Sequence, residues 1–259
     1  MILLLDIGNT HTHLGLTTAT GVVKQANIRT AGWFDGTATR PLVRFVGRAS
    51  LEGVALCSVV PRATIPAQQM VRGRWQVACL ALTPRTVWNL GIDYPHPETI
   101  GPDRLANAIA LRHFYGQPSV AVDFGTAVTF DVVDRRGCYV GGIIAPGLAA
   151  MTSYLHEKTA LLPHIHIRDT EAVVGKNTEE AMLIGAVHGY RGLIRELLAR
   201  LKSELKSRKL PVVATGGYAA LMAARLPEIT AVAPLLTLEG LRLAWQGRND
   251  RAAGKRVIA

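Results

Sequence analysis

Apolar positions near the start of this 259-residue chain fall in short runs rather than long helical stripes. Residues 2–6 form such a run, which ends in Asp6-Ile7-Gly8-Asn9-Thr10 and continues into the strand-like residues 11–17. Residues 120–123 repeat the plan, ending in Asp123-Phe124-Gly125-Thr126-Ala127 and continuing into residues 128–133. Each copy reads as strand, Asp-x-Gly turn, strand. A further strand-like stretch, 138–145, follows the second copy and stops at Pro146-Gly147. Between the copies, 54–60 reads as a buried strand, 64–71 as a helix and 102–113 as a second helix.

The later pattern changes period. Asn177 opens the longest predicted helix, with Glu180 as its capping-box partner. Leu183, Val187, Tyr190, Ile194, Leu197, Leu201 and Leu205, each three or four residues from the next, make a seam suited to a core or to a partner helix. Residues 212–215 read as a strand broken by Gly216-Gly217, residues 218–225 as a helix and 238–245 as the final helix, with 248–259 a basic, weakly ordered tail. Alternating strands and helices predict an α/β protein. The repeated turn divides it into two related halves, 1–116 and 117–259, the second including the final helix and tail.

Composition removes some classes. The chain is 49% hydrophobic and 19% charged, which excludes disorder and leaves ample material for a core. Cys57, Cys79 and Cys138 are odd in number and widely spaced, so no disulfide framework is expected and a reducing cytoplasm fits. No uncharged apolar run approaches the ~20 residues of a membrane span, and no membrane partner is expected. The net charge of +10 admits either nucleic acid or small anionic substrates as partners. Half of that excess lies in each half of the chain. It is densest on Arg191, Arg195, Arg200, Lys202, Lys206, Arg208 and Lys209, which read as a solvated helix face, without the interleaved aromatics of a single-strand binder. Nucleic acid is therefore not the expected partner.

The chemistry concentrates at the turns. A strand ending in Asp and a tight Gly turn presents backbone N–H groups to a polyphosphate, while the carboxylate can hold Mg²⁺ directly or through water. The same turn taken singly is also an ordinary hairpin whose Asp and Asn satisfy their own backbone. Two copies favour the phosphate reading. The Gly-Gly pair after 212–215 allows close approach to an adenosine, or simply turns strand into helix. Neither a P-loop nor a Rossmann fingerprint occurs. In Gly101-Pro102-Asp103-Arg104, Pro102 suits the first helical position and Asp103 the first turn. Functionally, Asp103 reads as a general base whose pKa the helix dipole lowers, and Arg104 as a clamp for a carboxylate. His11 and His13, like His164 and His166, have the same-face spacing of strand metal ligands, but the further ligands of such a site are not apparent.

In order along the chain, these motifs resemble the type III pantothenate kinase family of the actin/hexokinase/Hsp70-like superfamily. The residues carrying the likeness include Asp6 to Thr10 with Gly15, Ser58-Val59-Val60-Pro61, Tyr94-Pro95, Gly101 to Arg104, Asp123 to Asp131, Gly141 to Gly147, Gly175 to Thr178, Thr215-Gly216-Gly217 and Leu236 to Leu241. The resemblance implies two actin-like (ribonuclease H-like) half-domains with a nucleotide cleft between them. It implies a cytoplasmic homodimer that phosphorylates pantothenate to 4'-phosphopantothenate with ATP, the entry step of coenzyme A synthesis. By position, Asp6, Ile7, Gly8, Asn9, Thr10, His11, Thr12, His13 and Thr126 would contact ATP. Tyr94, Gly101, Pro102, Asp103, Arg104 and Thr178 would contact pantothenate, with Asp103 the proton acceptor. Asp123 would bind the monovalent cation, K⁺ or NH₄⁺, and Asp6 the Mg²⁺. A non-catalytic regulatory or nucleic-acid-binding protein on the same fold is the alternative.

Overall fold

The computed structural model describes residues 1–88 and 90–252. The chain forms two compact units. One contains Met1–Gly116, Arg135–Gly141 and the described residues from Leu235; the other contains Gln117–Asp134 and Gly142–Pro234.

In the first unit the N-terminal apolar run is β1 (Ile2–Ile7), and a tight turn returns the chain as β2 (His11–Thr17) and then β3 (Val22–Arg29). Two short helices, α1 (Gly32–Asp35) and α2 (Thr39–Val46), lead to β4 (Gly53–Ser58), α3 (Pro61–Trp75) and β5 (Ala78–Ala81). The sheet order is β3-β2-β1-β4-β5, antiparallel on the hairpin side and parallel across β1, β4 and β5. β1 and β4 are covered on both faces, so they are almost continuously apolar. One face packs Leu3, Leu5, Leu14 and Leu56 into a core with Trp33, Leu42 and Phe45. β6 (Gly91–Ile92) and α4 (Pro102–Phe114) follow, and Leu105 to Leu111 are buried without a break, the signature of a helix enclosed all round.

The second unit repeats the strand plan. β7 (Ser119–Phe124) and β8 (Ala127–Val133) form an antiparallel hairpin, and β9 (Cys138–Pro146) comes next, its residues Cys138 and Tyr139 pairing with β6. After α5 (Leu148–Lys158), α6 (Thr178–Ile184), α7 (Tyr190–Glu204), β10 (Val212–Thr215), α8 (Ala219–Ala223) and β11 (Ala231–Val232), the order reads β9-β8-β7-β10-β11. β10 runs parallel to β7 as β4 does to β1. Sheet by sheet, the order matches that of the first unit.

Three expectations change. The final helix, α9, runs Leu236–Ala252 rather than 238–245, and it belongs with the first unit although it was expected in the second half. Leu236, Leu238, Leu241, Leu243, Ala244 and Trp245 are all buried, so the helix needs apolar cover on several sides; β1, β4 and α4 supply it. The fit is close: a Cβ at position 53 would lie 1.8 Å from the Trp245 ring, so β4 must begin with glycine there. Arg248, expected in a loose tail, sits in this helix with its guanidinium 3.6 Å from the Trp245 ring centre. The rest of the expected tail, 253–259, lies outside the described residues.

Second, the predicted long helix is interrupted by a π turn, Gly185–Gly189, between α6 and α7. The wider turn shifts the helical phase. Leu183, Val187, Tyr190 and Ile194 are buried, but Leu198 replaces Leu197 inside, and Leu201 and Leu205 are only partly covered. The buried part of the seam is therefore core of this chain, not a free surface for a second copy. The capping expectation does hold at α6, where Asn177 Oδ1 accepts the Glu180 N–H at 2.9 Å. Third, Arg191 is not on a solvated face: it is 4% exposed and its guanidinium meets Asp169 at 2.9 Å and the Leu221 carbonyl at 2.9 Å.

Candidate active site

Asp6 stands next to the end of β1, opposite His13 in the hairpin register and beside Cys57 of β4. The Cys57 thiol donates to Asp6 Oδ1 at 3.3 Å. Burial dominates and raises the Asp6 pKa to about 6; His13 and the thiol pull it down, and the charge of Asp103 pushes it up. The Ile7 side chain is in the core, so only its main chain is available to a ligand. The turn closes with the Gly8 N–H donating to the His11 carbonyl at 3.0 Å, which leaves Asn9, Thr10 and His11 exposed. His13 is exposed too, with Nδ1 2.7 Å from Asn27 Oδ1. Thr12 faces the other way: its hydroxyl is buried and accepts the Trp33 indole N–H at 2.9 Å, so its side chain does not share the exposed face of the turn.

Asp103 occupies the first turn of α4, after Gly101 at the cap and Pro102 at the first helical position. Its Oδ1 accepts the Arg104 N–H at 2.9 Å. Here the dipole expectation fails. Burial raises the Asp103 pKa, outweighing the Arg104 N–H and guanidinium that lower it. Asp103 is thus a stronger base than an ordinary carboxylate, and its charge also raises the pKa of Asp6, a second partly buried carboxylate in the same unit. The Arg104 guanidinium lies 5.7 Å from the centre of the Tyr139 ring. Tyr94 meets the same ring edge-on at 6.1 Å. Tyr139 is 1% exposed, so it backs two of the expected pantothenate contacts from inside the unit. No motif in the sequence marked it.

In the second unit Asp123 closes β7 as Asp6 closes β1. The Gly125 N–H donates to the Ala127 carbonyl at 3.1 Å and the Gly147 N–H to the Thr126 carbonyl at 3.2 Å. A Cβ at Gly147 would lie 2.2 Å from that carbonyl, and one at Gly216 (φ +86°) 2.5 Å from Asp123 Oδ1. Two glycine motifs that were ambiguous singly therefore press against one turn, and only glycine keeps the Asp123 carboxylate and the exposed Thr126 clear. Thr178 begins α6, exposed, on the wall of a cavity of about 730 Å³ lined mostly by apolar residues such as Met151, Leu155 and Met182, with Thr152 and Tyr154.

Hard oxygen donors suit Mg²⁺ and K⁺. The partly buried Asp6 carboxylate, which holds its proton more tightly than an ordinary aspartate, is the kind of group a divalent cation relieves, and Asp123 brings a second hard oxygen donor to the end of β7. The histidine pairs do not assemble a transition-metal site: no group of three metal-ligating side chains occurs among the described residues. Nor, among them, is any helix long and apolar enough to cross a membrane.

The family model for type III pantothenate kinase matches residues 2–200. A type III pantothenate kinase of Methylacidiphilum infernorum is 44% identical over 244 residues, covering 93% of this chain and 87% of its own. Among solved structures, a Baf family protein of Campylobacter jejuni aligns with a TM-score of 0.63 at 18% identity, covering 96% of this chain and 99% of that one. The ROK hexokinase of Thermus thermophilus aligns at 0.52 and 14% identity, covering 96% and 99%. These structural likenesses place the duplicated sheets in the actin-like α/β fold. The ordered sequence match over most of both chains goes further, and by it the chain belongs to the type III pantothenate kinase family.

Proposed function

We propose that this chain phosphorylates the primary hydroxyl of pantothenate with ATP, and that the turns described above divide the work as follows. The observation that carries the reading is the pair of partly buried carboxylates with raised pKa values, Asp6 and Asp103, at the glycine turn and the α4 N-terminus of one unit. Burying two like charges that oppose each other is costly without a cation or a proton to receive. A kinase uses both.

Phosphoryl transfer passes through a loose transition state, so alignment and charge stabilisation do most of the work. The main-chain N–H groups of the turn from Asp6 to His13, with the Thr10 hydroxyl, hold the phosphates of ATP; Thr126 is assigned to ATP by the family likeness alone. Thr12 and Ile7 contribute main chain only. Asp6 would hold Mg²⁺ directly or through water, and an ion held there would supply positive charge for phosphoryl transfer. Asp123 holds the monovalent cation, K⁺ or NH₄⁺. Arg104 clamps the pantothenate carboxylate with Tyr94 from the same unit, and Asp103 orients the attacking hydroxyl; Thr178 is assigned to pantothenate by the family likeness alone. Because Asp103 Oδ1 is engaged by the Arg104 N–H, the proton goes to Oδ2 late in the transfer. The enzyme works in the cytoplasm.

The active species is a homodimer. The supporting surface is not the helical seam but α5 and the segment after it, where Met151, Tyr154, Leu155, Leu161, Val173 and Val174 are exposed apolar side chains. The kinetic test of the chemistry is Asp103→Asn. Loss of a positioned general base lowers kcat by about 10²–10⁴-fold, with the fold and ATP binding intact. Wild-type turnover by that variant in a coupled ADP-release assay would remove Asp103 from the reaction.

A further inference from the structure

Behind the Asp6 turn lies a buried polar chain with no part in the chemistry described so far. Thr30, just after β3, is 1% exposed, and its hydroxyl donates to the Gly8 carbonyl at 2.7 Å. The Thr30 N–H donates to the Thr10 carbonyl at 3.0 Å, so one residue grips both sides of the turn. Thr30 Oγ1 is also 3.1 Å from Thr12 Oγ1, which accepts the Trp33 indole N–H at 2.9 Å. Thr12 and Trp33 are 0% and 5% exposed.

The direction of this chain is fixed by its ends. An indole N–H only donates, a carbonyl only accepts, and a hydroxyl has one proton to give. Thr30 gives its proton to Gly8, so the contact between the two hydroxyls must use the proton of Thr12. Thr12 accepts in turn from Trp33. One arrangement satisfies every group, and it terminates on the Gly8–Asn9 peptide. A trans peptide is planar, with its C=O and N–H on opposite sides. Holding the Gly8 carbonyl inward therefore turns the Asn9 N–H outward, to the side where Asn9 and Thr10 are exposed. No hydrogen bond among the described residues takes that N–H.

We propose that Thr30, oriented by Thr12 and Trp33, is a positioning residue that aims the Asn9 main-chain N–H at the phosphates of ATP. This rests on the assignment of the Asp6 turn to ATP. An outward N–H in a tight turn is a phosphate donor whose reorganisation cost has already been met in folding. Thr30→Val keeps the shape, removes the donor and leaves a buried carbonyl unpaired, so the turn loses its single orientation.

The test measures kcat and both KM values, with thermal melts, for Thr30→Val, Thr30→Ser and Asp6→Asn. Thr30→Val is expected to raise the KM for MgATP about tenfold, with the KM for pantothenate unchanged, and Thr30→Ser is expected to restore it. A Thr30→Val enzyme that melts earlier but keeps its KM for MgATP would overturn the proposal, since the hydroxyl would then serve stability alone. Asp6→Asn separates the two levels of inference. If it disables MgATP use while Thr30→Val does not, only the positioning role falls; if neither affects MgATP, the turn is not the ATP site. Should Thr30→Val fail to fold, Trp33→Phe removes the first donor only. A KM for MgATP raised severalfold supports the chain, and an unchanged one contradicts it.

Discussion

Asp6 shows how a single charged residue can be set against the stability of the fold. Its carboxyl has a pKa raised to about 6, mainly by burial, against 3.8 for the unburied group. The native state therefore binds the proton more tightly than the unfolded chain. The stabilisation this gives is complete below pH 3.8 and is lost as pH rises through about 6. At pH 7 the ligand-free protein carries an ionised, buried Asp6 at a cost of about 1–3 kcal/mol. Asp6→Asn is accordingly expected to raise the Tm of the ligand-free protein at pH 7.5, to give no such gain near pH 4, and to abolish MgATP-dependent turnover. Melts at the two pH values check this; an Asp6→Asn protein less stable at pH 7.5 would contradict it. Sequence made Asp6 legible because its turn occurs twice. It did not make Thr30 legible, since a threonine between Arg29 and Ala31 carries no pattern. For Asp103 the sequence misled: a residue in the first helical turn feels the dipole, but burial, which a sequence does not display, outweighs it.

Among the elements, both hairpins could be read locally, because a strand pattern of period two and a glycine turn are complete within some fifteen residues. The α6–α7 helix was legible as a helix, but the π turn that moves Leu198 inside in place of Leu197 lies in Gly185–Gly189, where the apolar spacing gave no warning. α9 was the hardest to place. Its apolar content was visible, but its partners are α4, β1 and β4, more than 120 residues earlier in the chain. α5 carries the remaining consequence. Tyr154 and Leu155 are 61% and 41% exposed, and the proposed homodimer would cover this face. Leu155→Glu is expected to shift the protein from dimer to monomer in light scattering, with little change in monomer secondary structure. A dimer that persists at low micromolar concentration would place the interface elsewhere.

For the whole molecule, the repeated strand order ties the fold to the chemistry. The β1–β2 hairpin with β4 and the β7–β8 hairpin with β10 each place an Asp beside a parallel strand, and each Asp begins a glycine turn. The duplication was visible in sequence as Asp6-Ile7-Gly8 and Asp123-Phe124-Gly125, which is why the fold class could be read before the structure. The net charge of +10, at first compatible with nucleic acid, suits two anionic substrates, and part of it is spent internally where Arg191 is buried against Asp169. The central claim is a reaction, and a product measurement tests it most directly. Purified protein is incubated with MgATP and pantothenate, with and without K⁺, and the mixture is resolved by mass spectrometry. The expected product is 4'-phosphopantothenate, formed in equal amount with ADP and dependent on K⁺ or NH₄⁺. ADP release indifferent to pantothenate, with no phosphorylated product, would contradict it.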